Sequence, residues 1–582
     1  MRINKVHIKG FRNFDDEEIV FQPKTLIIGA NDVGKTNLLY ALRLLFDKSL
    51  NEHDLELAES DYNAYSATEQ IEITVTICDV TEDCLLSTFG SAVKDGVVLI
   101  RYLNTKSDSY KIFTGFSEET LNEVSGRHYI RRLNMQYVDT NRDLFSFLKH
   151  ERTQILSTAK EKRSPEAEQA DEARTVEIQN DLDTINGKVS SLNYVSTALE
   201  QVNKELSELS IHNEDQTVRF VAGDSSAEKL LDNLALAYSS ADNPLSIGGD
   251  GRNNQIFLAT WVAKQSIQKN IDHVTFYAIE EPEAHLHPHQ QRKLSEYIQN
   301  NFEDQVFVTS HSPHIASRFE PASMVRLYAK NKFTYAACGG CSEMLQTVFG
   351  EFGYRLNALS SETFFSDGVF LVEGVSEVLF YTALAQEIGI DLDRYNVSIL
   401  SVEGIGFKPY VAVCNALNIP WVLRTDNDIF AKPTNTPTTD YYAGIPRIMG
   451  ILKQVGSDAG LVAYWDEHSD ENEWQHKGEI PEKATALNTY ITENAAKVGL
   501  FLSEIDLEND LADGPLRDKL LEYYDKTETA SLVTAMKSKK AENMFSFLSQ
   551  NHQCLKVLCE DKIAAPIKAL KQIIGERTHP VS

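Results

Sequence analysis

One eight-residue segment near the amino terminus constrains the fold more than any other part of the sequence. Residues 29–36 read Gly-Ala-Asn-Asp-Val-Gly-Lys-Thr and lie between an apolar run, 24–28, and a helical pattern that extends to Leu45. This is the G-x-x-x-x-G-K-T pattern in its required setting, with a strand before it and a helix after it. The glycines let backbone amides wrap a phosphate chain, and the amino terminus of the helix adds partial positive charge. The segment therefore predicts an α/β domain that binds a nucleotide.

The same segment supplies the candidate cofactor-binding residues. Gly29, Asn31 and Gly34 are expected to shape the backbone around the phosphates. Lys35 is expected to reach the β- and γ-phosphates, and Thr36 offers a hydroxyl to Mg²⁺. ATP or another NTP is therefore the cofactor that we expect here.

Three later segments resemble the remaining elements of an ABC-type ATPase head of the SMC, RecF and OLD group. The pair Gly248-Gly249 resembles the signature loop. An apolar strand that ends in Glu280-Glu281 resembles the Walker B strand, and a strand that ends shortly before His311 resembles the H-loop. The resemblance implies that Glu280 holds Mg²⁺ through water, Glu281 orients the attacking water and His311 senses the γ-phosphate. Signature loops close the nucleotide site of another subunit, so the resemblance also implies a homo-oligomer, a dimer or a tetramer.

The chain departs from this ATPase pattern at three positions. Glu280 stands where the Walker B acid is usually Asp, and Ile247 stands where a serine usually precedes the signature glycines. His287 replaces the usual Asp of the D-loop. The departures weaken the case for rapid turnover and predict a head that binds NTP well and hydrolyses it slowly.

A helical stripe interrupts the head within residues 151–216. Apolar residues recur there at spacings of three and four, which is close to heptad spacing. They are Ile178, Leu182, Ile185, Val189, Leu192, Val195, Leu199, Val202, Leu206 and Leu209. The stripe predicts a helical dimerisation insert, and the alternative is an ordinary amphipathic helix pair that covers the head. The charged stretch before it, 160–174, predicts a mobile or solvated segment.

In the last third of the chain, strand-like runs alternate with helical patterns. The run 369–372 leads into Glu373, and the run 421–423 leads towards Asp426-Asn-Asp428. This alternation predicts a parallel sheet whose site lies off the carboxyl ends of the strands. Clustered carboxylates repel one another unless a cation lies among them, and hard oxygen ligands favour Mg²⁺ or Mn²⁺. The alternative is that these acids only cap helices.

The ordered glutamate and Asp-x-Asp resemble the Toprim domain of topoisomerases, primases and OLD-family nucleases. Four acids at alternate positions follow at 504–510. In extended form they would line one strand face, either as metal ligands or as a costly surface. Together with the head, the insert and the basic run 537–540, the whole order resembles the class 2 OLD nucleases of Gabija antiphage systems.

This resemblance implies the ligand set of a two-metal DNA endonuclease in which Glu373 is also catalytic. Lys540 would stabilise charge on the scissile phosphate, and Lys539 is the next candidate. A UvrD-like helicase is the implied protein partner, and DNA is the implied substrate. The metal ligands are two carboxylates of one subsite, two that bridge and two of the second subsite: Glu373, Glu377, Asp426, Asp428, Asp506 and Glu508.

Length and charge bound these interpretations. A chain of 582 residues is too long for one core, so we expect an ATPase head at 1–150 and 217–350, the insert at 151–216 and a Toprim domain at 351–582. The formal net charge of −29 argues against a protein that coats DNA non-specifically, but it leaves room for a local basic groove. Without a long apolar run or an amino-terminal signal core, we expect a cytoplasmic protein.

Two other functions fit parts of the sequence. A DNA-repair clamp of the RecF or SMC kind would use the head alone, and a topoisomerase-like or RNA-directed enzyme would use the Toprim pattern differently. The complete acid set after residue 370 favours the nuclease.

Cys338-Gly-Gly-Cys341 is either half of a zinc site or a pair of reduced structural thiols, and no partner pair follows at a suitable spacing.

Overall fold

The structure, a computed structural model, forms two compact units. One contains Met1–Thr140 with Ile271–Ser582, and the other contains Asn141–Asn270, which includes the whole of the expected insert. The described residues are 1–139, 156–157, 159–209, 226–232, 238–240, 243–245, 259, 273–352, 361–432 and 437–578.

The amino-terminal part of the first unit is strand-rich. Its elements are β1 (Arg2–Phe11), β2 (Phe14–Val20), β3 (Lys24–Ile28), α1 (Lys35–Phe46), β4 (Gln70–Cys78), α2 (Asp83–Phe89), β5 (Val98–Thr105), β6 (Asp108–Gly115), β7 (Asn122–Val124) and β8 (Leu133–Val138). Six strands form an antiparallel sheet in the order β2-β1-β4-β5-β6-β7. Buried Ile3, Val6 and Ile8 on β1 are separated by partly exposed residues, as expected for a strand with one face on the core.

The second unit is described mainly by two long helices. Its elements are α3 (Pro165–Ser190), α4 (Asn193–Leu209), α5 (Ala227–Asp232), β9 (Tyr238–Ser240) and β10 (Asn243–Leu245). Helix α3 begins at Pro165 because the Ser164 hydroxyl accepts a hydrogen bond from the Ala167 N–H, and proline suits the first helical position. The stretch 160–174 was predicted to be mobile or solvated, and from Pro165 onwards it is a helix with no buried residue, which fits the solvated alternative.

Strands from distant parts of the chain complete a second sheet in the first unit. The added elements are β11 (Val274–Glu280), α6 (Pro288–Asn301), β12 (Val306–Thr309), α7 (Pro313–Ala316), β13 (Met324–Lys330), β14 (Phe333–Ala336) and α8 (Glu343–Phe352). The order is β14-β13-β3-β12-β11-β8, and every pair except β13–β14 is parallel. Helix α1 packs between the two sheets, where Phe46 meets the edges of Tyr129 and Phe276.

A four-stranded parallel sheet organises the carboxy-terminal part. Strand 397–401 lies at one edge of this sheet, followed by 368–372, then 421–425, and 500–502 lies at the opposite edge. The elements are β15 (Gly368–Val372), α9 (Val375–Glu387), β16 (Val397–Ser401), α10 (Phe407–Ala416), β17 (Trp421–Thr425), β18 (Ile429–Lys432), β19 (Thr439–Tyr442), α11 (Gly444–Val455), α12 (Ala459–His468), β20 (Glu473–Gln475), α13 (Glu482–Ala496), β21 (Leu500–Leu502), α14 (Leu507–Asp513), α15 (Arg517–Tyr524), α16 (Thr529–Lys537), α17 (Lys540–Asn551) and α18 (Ala565–Thr578). Strands β18, β19 and β20 form a small antiparallel sheet of their own.

The predicted parallel sheet is thus present, with β15 fully buried along its length. Helices α9, α14 and α17 share one apolar core with it, which includes Phe370, Tyr381, Leu511 and Phe547. Burial on both faces explains why β15 reads as a continuous apolar run.

A buried arginine joins β13 to this sheet. Arg326 is 3% exposed, and its guanidinium donates hydrogen bonds of 2.9 Å to the carbonyl oxygens of Phe364, Ser366 and Leu417. Burial lowers the pKa of Arg326 to about 10. Phe364 and Ser366 precede β15, and Leu417 precedes β17, so one side chain holds the starts of the two strands that lead to the predicted carboxylates.

Across the described part of the chain, no helix combines the length and the apolar character needed to cross a bilayer.

Candidate functional site

The two glycines of the phosphate-binding segment are required by its geometry. Gly29 has a φ of +152°, and a Cβ there would lie 2.5 Å from the Leu327 carbonyl oxygen. Gly34 has a φ of +103°, and a Cβ there would lie 2.3 Å from the side-chain nitrogen of Asn13. Any other residue at either position would force the loop open. The segment therefore has the tightly wrapped backbone that a phosphate cradle needs.

Lys35 is held inside this loop. Its ammonium donates to the carbonyl oxygens of Gly29 at 3.0 Å and Ala30 at 2.8 Å, and the residue is 6% exposed. Burial lowers the pKa of Lys35 to about 8. Here two backbone carbonyl oxygens accept hydrogen bonds that the oxygens of a bound phosphate would otherwise accept from the ammonium. Asn31 and Thr36 lie at the exposed surface of the same loop, where they can contact a nucleotide and its Mg²⁺.

The predicted acids and histidine meet Lys35 at the carboxyl ends of β11 and β12. Glu280 is the last residue of β11. Burial raises the pKa of its carboxyl group, and hydrogen bonds from Tyr137 and Thr36 partly offset this rise. The Glu281 carboxylate lies 3.1 Å from His311 Nε2, and burial lowers the pKa of His311. The donors and the cradle fit a nucleotide with Mg²⁺, with Glu280 and Thr36 on the same side. Gly248, Gly249 and Ile247 lie outside the described residues.

Glu283 is a residue of this site that the sequence interpretation gave no role. Its carboxylate accepts 2.7 Å hydrogen bonds from the Ser310 hydroxyl and from the His311 backbone N–H. Glu283 thus fixes the loop that presents His311. The Pro-Glu that follows the acid pair was the signal in the sequence.

The carboxy-terminal site begins where β15 and β17 end side by side. Glu373 follows β15, and its Oε1 accepts hydrogen bonds from the Asp426 N–H at 2.9 Å, the Thr425 hydroxyl at 2.5 Å and Arg447 Nη1 at 2.6 Å. Arg447, on α11, also donates to the Asp426 carbonyl oxygen at 3.2 Å. The two parallel strands thus bring Glu373 to the Asp-x-Asp, as the sequence predicts.

Asp426 and Glu377 are buried carboxylates beside this contact. Asp426 is 5% exposed, and burial, reinforced by the charge of Glu373, raises its pKa to about 8. Ser503 donates a 3.2 Å hydrogen bond to it. Glu377 lies in the first turn of α9, and burial raises its pKa as well. Both groups are in an environment that would favour a nearby cation.

The acids at 504–510 are not a strand, and the expectation of one strand face lined by carboxylates is wrong. Strand β21 ends at Leu502, and Asp506 caps helix α14 by accepting from the Asn509 N–H at 2.9 Å. The capping geometry breaks the alternation. Asp506 and Glu508 are each 2% exposed and face the site through the helix amino terminus. Burial, reinforced by the charge of Asp506, raises the pKa of Asp428.

Three lysine or arginine side chains neutralise these carboxylates. Lys537 forms an ion pair with Asp506, and Lys540 Nζ lies 3.0 Å from Glu508 Oε2. Burial alone would lower the pKa of Lys540, but the charge of Glu508 and the hydrogen bond to it have the larger combined effect, so the pKa of Lys540 is raised. Burial likewise opposes the charge of Asp506, but hydrogen bonds from Lys537 and Asn509 hold its pKa below the usual value. The sequence interpretation included Lys537 only as part of the basic run 537–540, and it gave no role to Arg447.

Among the described residues, no three His, Cys, Asp or Glu side chains are arranged closely enough to hold a metal ion as they stand. The oxygen-only donor set nevertheless fits Mg²⁺ or Mn²⁺, since these ions prefer carboxylates and water. Burial raises the pKa of Asp426 and the charge of Glu373 adds to the rise, so a cation beside both groups would stabilise the ionised carboxylate. Binding would exchange ion pairs with Arg447 and Lys537 for bonds to the metal.

Two further features of the Toprim-like part have structural roles. Arg424, 4% exposed on β17, donates a 2.6 Å hydrogen bond to the Asp510 carboxylate. Asp510 therefore serves the core and not the ligand set. All seven cysteines are free, and burial raises the pKa of Cys341 to about 12, which disfavours the thiolate that zinc binds. Cys338 donates to the Ala416 carbonyl oxygen at 3.0 Å.

Comparisons with known proteins match both halves of the chain. Residues 1–169 and 141–316 match the AAA ATPase domain family, and residues 364–428 match the Overcoming lysogenization defect protein-like, TOPRIM domain. The chain is 24% identical to Endonuclease GajA of Bacillus cereus (strain VD045), over 96% of this chain and 99% of that protein. It is 23% identical to the OLD nuclease of Thermus scotoductus, over 74% of this chain and 82% of the relative. The SMC head bound to the C-winged helix domain of ScpA covers 58% of this chain and 97% of its own, at 14% identity and a TM-score of 0.35.

Proposed function

Because the chain belongs to the AAA ATPase domain family and carries an OLD-like Toprim domain, we propose that it is a metal-dependent DNA endonuclease whose nicking activity is regulated by NTP binding. The observation that carries the proposal is the contact between Glu373 and the Asp426 backbone at the ends of two parallel strands. It joins the two halves of the Toprim acid pattern at one place. The match to an endonuclease over nearly the whole chain supports it.

The carboxylates would divide between two metal subsites. Glu373 with Glu377 would hold the first ion and Asp506 with Glu508 the second, and Asp426 and Asp428 would contribute to both subsites. Bound Mg²⁺ or Mn²⁺ would supply the positive charge that activates water and stabilises the leaving oxygen.

Basic side chains would handle the charge of the DNA backbone at this site. Lys540 is half-buried beside Glu508, with a pKa raised above the ordinary value, so it stays protonated and can neutralise the scissile phosphate. Arg447 holds Glu373 in place before metal binding. Their placement makes Lys540 a catalytic candidate and Arg447 a positioning residue.

The head would act as a nucleotide sensor. Lys35 and Thr36 would bind the phosphates and Mg²⁺, Glu280 would hold the metal through water, and Glu281 with His311 would face the γ-phosphate. Gly248 and Gly249 would close the site of a second subunit. Slow turnover follows from the departures at Glu280 and His287; His287 caps α6 and stacks on a neighbouring histidine.

A continuous set of hydrogen bonds supports coupling between the head and the nuclease site. The Val33 carbonyl oxygen, within the phosphate segment, accepts from the Thr334 hydroxyl at 2.7 Å and from Asn13 Nδ2 at 2.9 Å. Thr334 lies on β14, which pairs with β13, and β13 carries Arg326. A change in the phosphate loop would therefore reach the starts of β15 and β17. We propose that bound NTP holds the nuclease inactive through this route and that NTP depletion during phage replication releases it.

Assembly into a homo-oligomer, a dimer or a tetramer, is supported by the helices of the second unit. No residue of α3 is buried within the described part of the chain, and Ile185, Leu192 and Val202 are 44–48% exposed. These residues belong to the predicted apolar stripe, so packing against the same helices of a second copy of the chain would bury them. The same proposal includes a cytoplasmic location, a role in antiphage defence and, by resemblance to GajA, a UvrD-like helicase partner, GajB.

The test is to incubate purified protein with supercoiled plasmid and Mg²⁺ or Mn²⁺, with and without ATP. We expect metal-dependent nicking that ATP suppresses. Glu373→Gln should abolish nicking without changing the melting temperature, whereas Glu403→Gln, an exposed acid after β16, should leave it unchanged. A folded Glu373→Gln protein that nicks at the parent rate would refute the site. A parent protein that binds DNA in an ATP-dependent way but never cuts it would favour a RecF-type clamp.

A further inference from the structure

Each strand of the four-stranded parallel sheet is followed by an exposed apolar residue. Val375 follows β15, Ile405 follows β16, Ile429 and Phe430 follow β17, and Ile505 follows β21. Because β15, β16, β17 and β21 are parallel, all four loops lie at the edge of the sheet that carries the carboxylates. We call these five residues the strand-end collar.

The exposed apolar residues of this part of the chain are grouped in the collar and are not scattered over the surface. Among the described residues from 361 to the carboxy-terminal end, nine large apolar side chains are exposed, and five belong to the collar. The other four lie outside the segments that follow the four strands: Ile480, Tyr490, Phe545 and Val557. Single exposed apolar residues are normal on a protein surface, but grouped ones mark a binding surface.

The single aromatic residue of the collar, Phe430, lies on an edge strand. Phe430 is 48% exposed on β18, which, among the strands that the structure describes, pairs with β19 alone. It lies two residues after Asp428. A ligand that reaches the carboxylates between β15 and β17 would therefore pass beside Phe430, and beside Ile405 on the next loop along the sheet.

The excess of acidic residues in the chain indicates which part of a DNA ligand the collar contacts. The chain carries 85 acids against 56 lysines and arginines, and Lys537 and Lys540 beside the site are already paired with carboxylates. Contacts to DNA phosphates alone would give weak binding under these conditions. The apolar surface that DNA can offer is the face of its bases, and bases expose their faces only where stacking is broken.

We propose that the strand-end collar binds the faces of unstacked bases next to the scissile phosphate, so that the preferred substrate is DNA that is locally opened at the cleavage position. This inference rests on the nuclease function proposed above and names its substrate class. Phe430 stacks on one base, and Ile405, with Val375 and Ile505, packs against its neighbours. Contact with the bases supplies binding affinity that contacts between this acidic protein and DNA phosphates cannot supply.

The test compares two DNA duplexes of the same length, one fully paired and one with a three-nucleotide internal mismatch. Binding of the full-length protein is measured by fluorescence anisotropy with Ca²⁺ in place of Mg²⁺, and a gel confirms that the DNA stays intact. We expect the mismatched duplex to bind about tenfold more tightly, and Phe430→Ala to lose about that factor for the mismatched duplex only. Phe430→Trp should retain it, and Ile405→Ser should lose about threefold.

Phe545→Ala is the matched control, because Phe545 is 60% exposed on α17 but lies off the strand-end loops. Equal affinity of the parent for both duplexes, or equal loss for both in Phe430→Ala, would overturn the collar proposal. So would a change in oligomer size in Phe430→Ala with DNA binding intact, since a second copy would then cover the collar. Plasmid nicking by the parent protein stands as a separate readout, so failure of the collar proposal is distinguishable from failure of the nuclease proposal.

Discussion

Replacing Gly444 with alanine should disable the carboxylate site while leaving the fold intact. Gly444 begins α11 directly behind the Asp-x-Asp loop, and its N–H donates a 3.1 Å hydrogen bond to the Asn427 side chain. A Cβ at this position would lie 2.6 Å from the Asp426 carbonyl oxygen and 2.7 Å from Asn427 Oδ1. Carbon and oxygen normally approach to about 3.3–3.6 Å. The loop must therefore move by somewhat under 1 Å.

The expected magnitudes follow from that displacement. Overpacking of this kind costs about 1–3 kcal/mol of folding free energy, which a large domain tolerates. A misplacement near 1 Å at a reacting centre costs about 100-fold in rate. Gly444→Ala should thus melt only a few degrees below the parent but nick supercoiled plasmid about 100-fold more slowly, measured as initial rates at saturating Mg²⁺.

A second glycine on the same helix provides the control. A Cβ at Gly450 would meet only the end of the Lys408 side chain, at 3.3 Å, and that flexible group can move aside. Gly450→Ala should nick at the parent rate and gain up to about 1 kcal/mol of stability, since alanine favours the helix. If Gly444→Ala nicks normally, or if both variants lose activity equally, the loop does not position the reacting groups as we argue.

Four further outcomes are expected. Asp510→Ala leaves a buried guanidinium without its partner and should destabilise the protein by about 3–5 kcal/mol in denaturant titrations, and an unchanged midpoint would contradict the buried pair. Lys35→Ala should weaken binding of a fluorescent NTP analogue and leave nicking active even with ATP present, so a variant that cannot cut would refute the sensor role. Asp506→Ala should be as damaging to nicking as Asp426→Ala, and near-parent rates would remove Asp506 from the ligand set. Ile185→Glu should reduce the oligomer size in light scattering, whereas an unchanged mass would mean that the stripe is covered within one chain.

Local sequence patterns predicted the parts of the fold that depend on short-range order. The glycine pattern of 29–36 and the apolar run 369–372 each specify a strand, a turn and a helix within about twenty residues. The α/β architecture with an ATPase domain and a Toprim domain is accordingly confirmed by the family matches and by the two parallel sheets. The roles of the individual site residues stay predictions.

The segment 504–510 shows where periodicity misleads. Alternating acids suggested a strand, but an Asp in front of a helical segment is also a helix-capping signal, and Asp506 forms that cap. Short segments often satisfy two patterns, and here the hydrogen bond from the Asn509 N–H decides between them.

Arg447 could not have been found from local pattern. It lies 74 residues after Glu373 in the sequence, and only the tertiary packing of α11 against α10 and β21 brings the two together. Arg424 did leave a signal, since a charged residue inside a buried strand must have a partner. Which acid that partner is, Asp510 and not a nearer one, depends on the tertiary fold.

The separation of β8 from β11 affects how this protein is made. These strands are direct neighbours, with Leu133 opposite Val274, yet residues 139–273 lie between them in the sequence. At a translation rate of about 5–20 residues per second, roughly 7–27 s pass between synthesis of the first strand and of its partner. During that interval β8 has an unpaired edge, and the sheet that holds the phosphate loop is incomplete. A ribosome that stalls within the intervening stretch would leave a nascent chain prone to aggregation, so synonymous codon choice across 139–273 should influence the yield of folded protein.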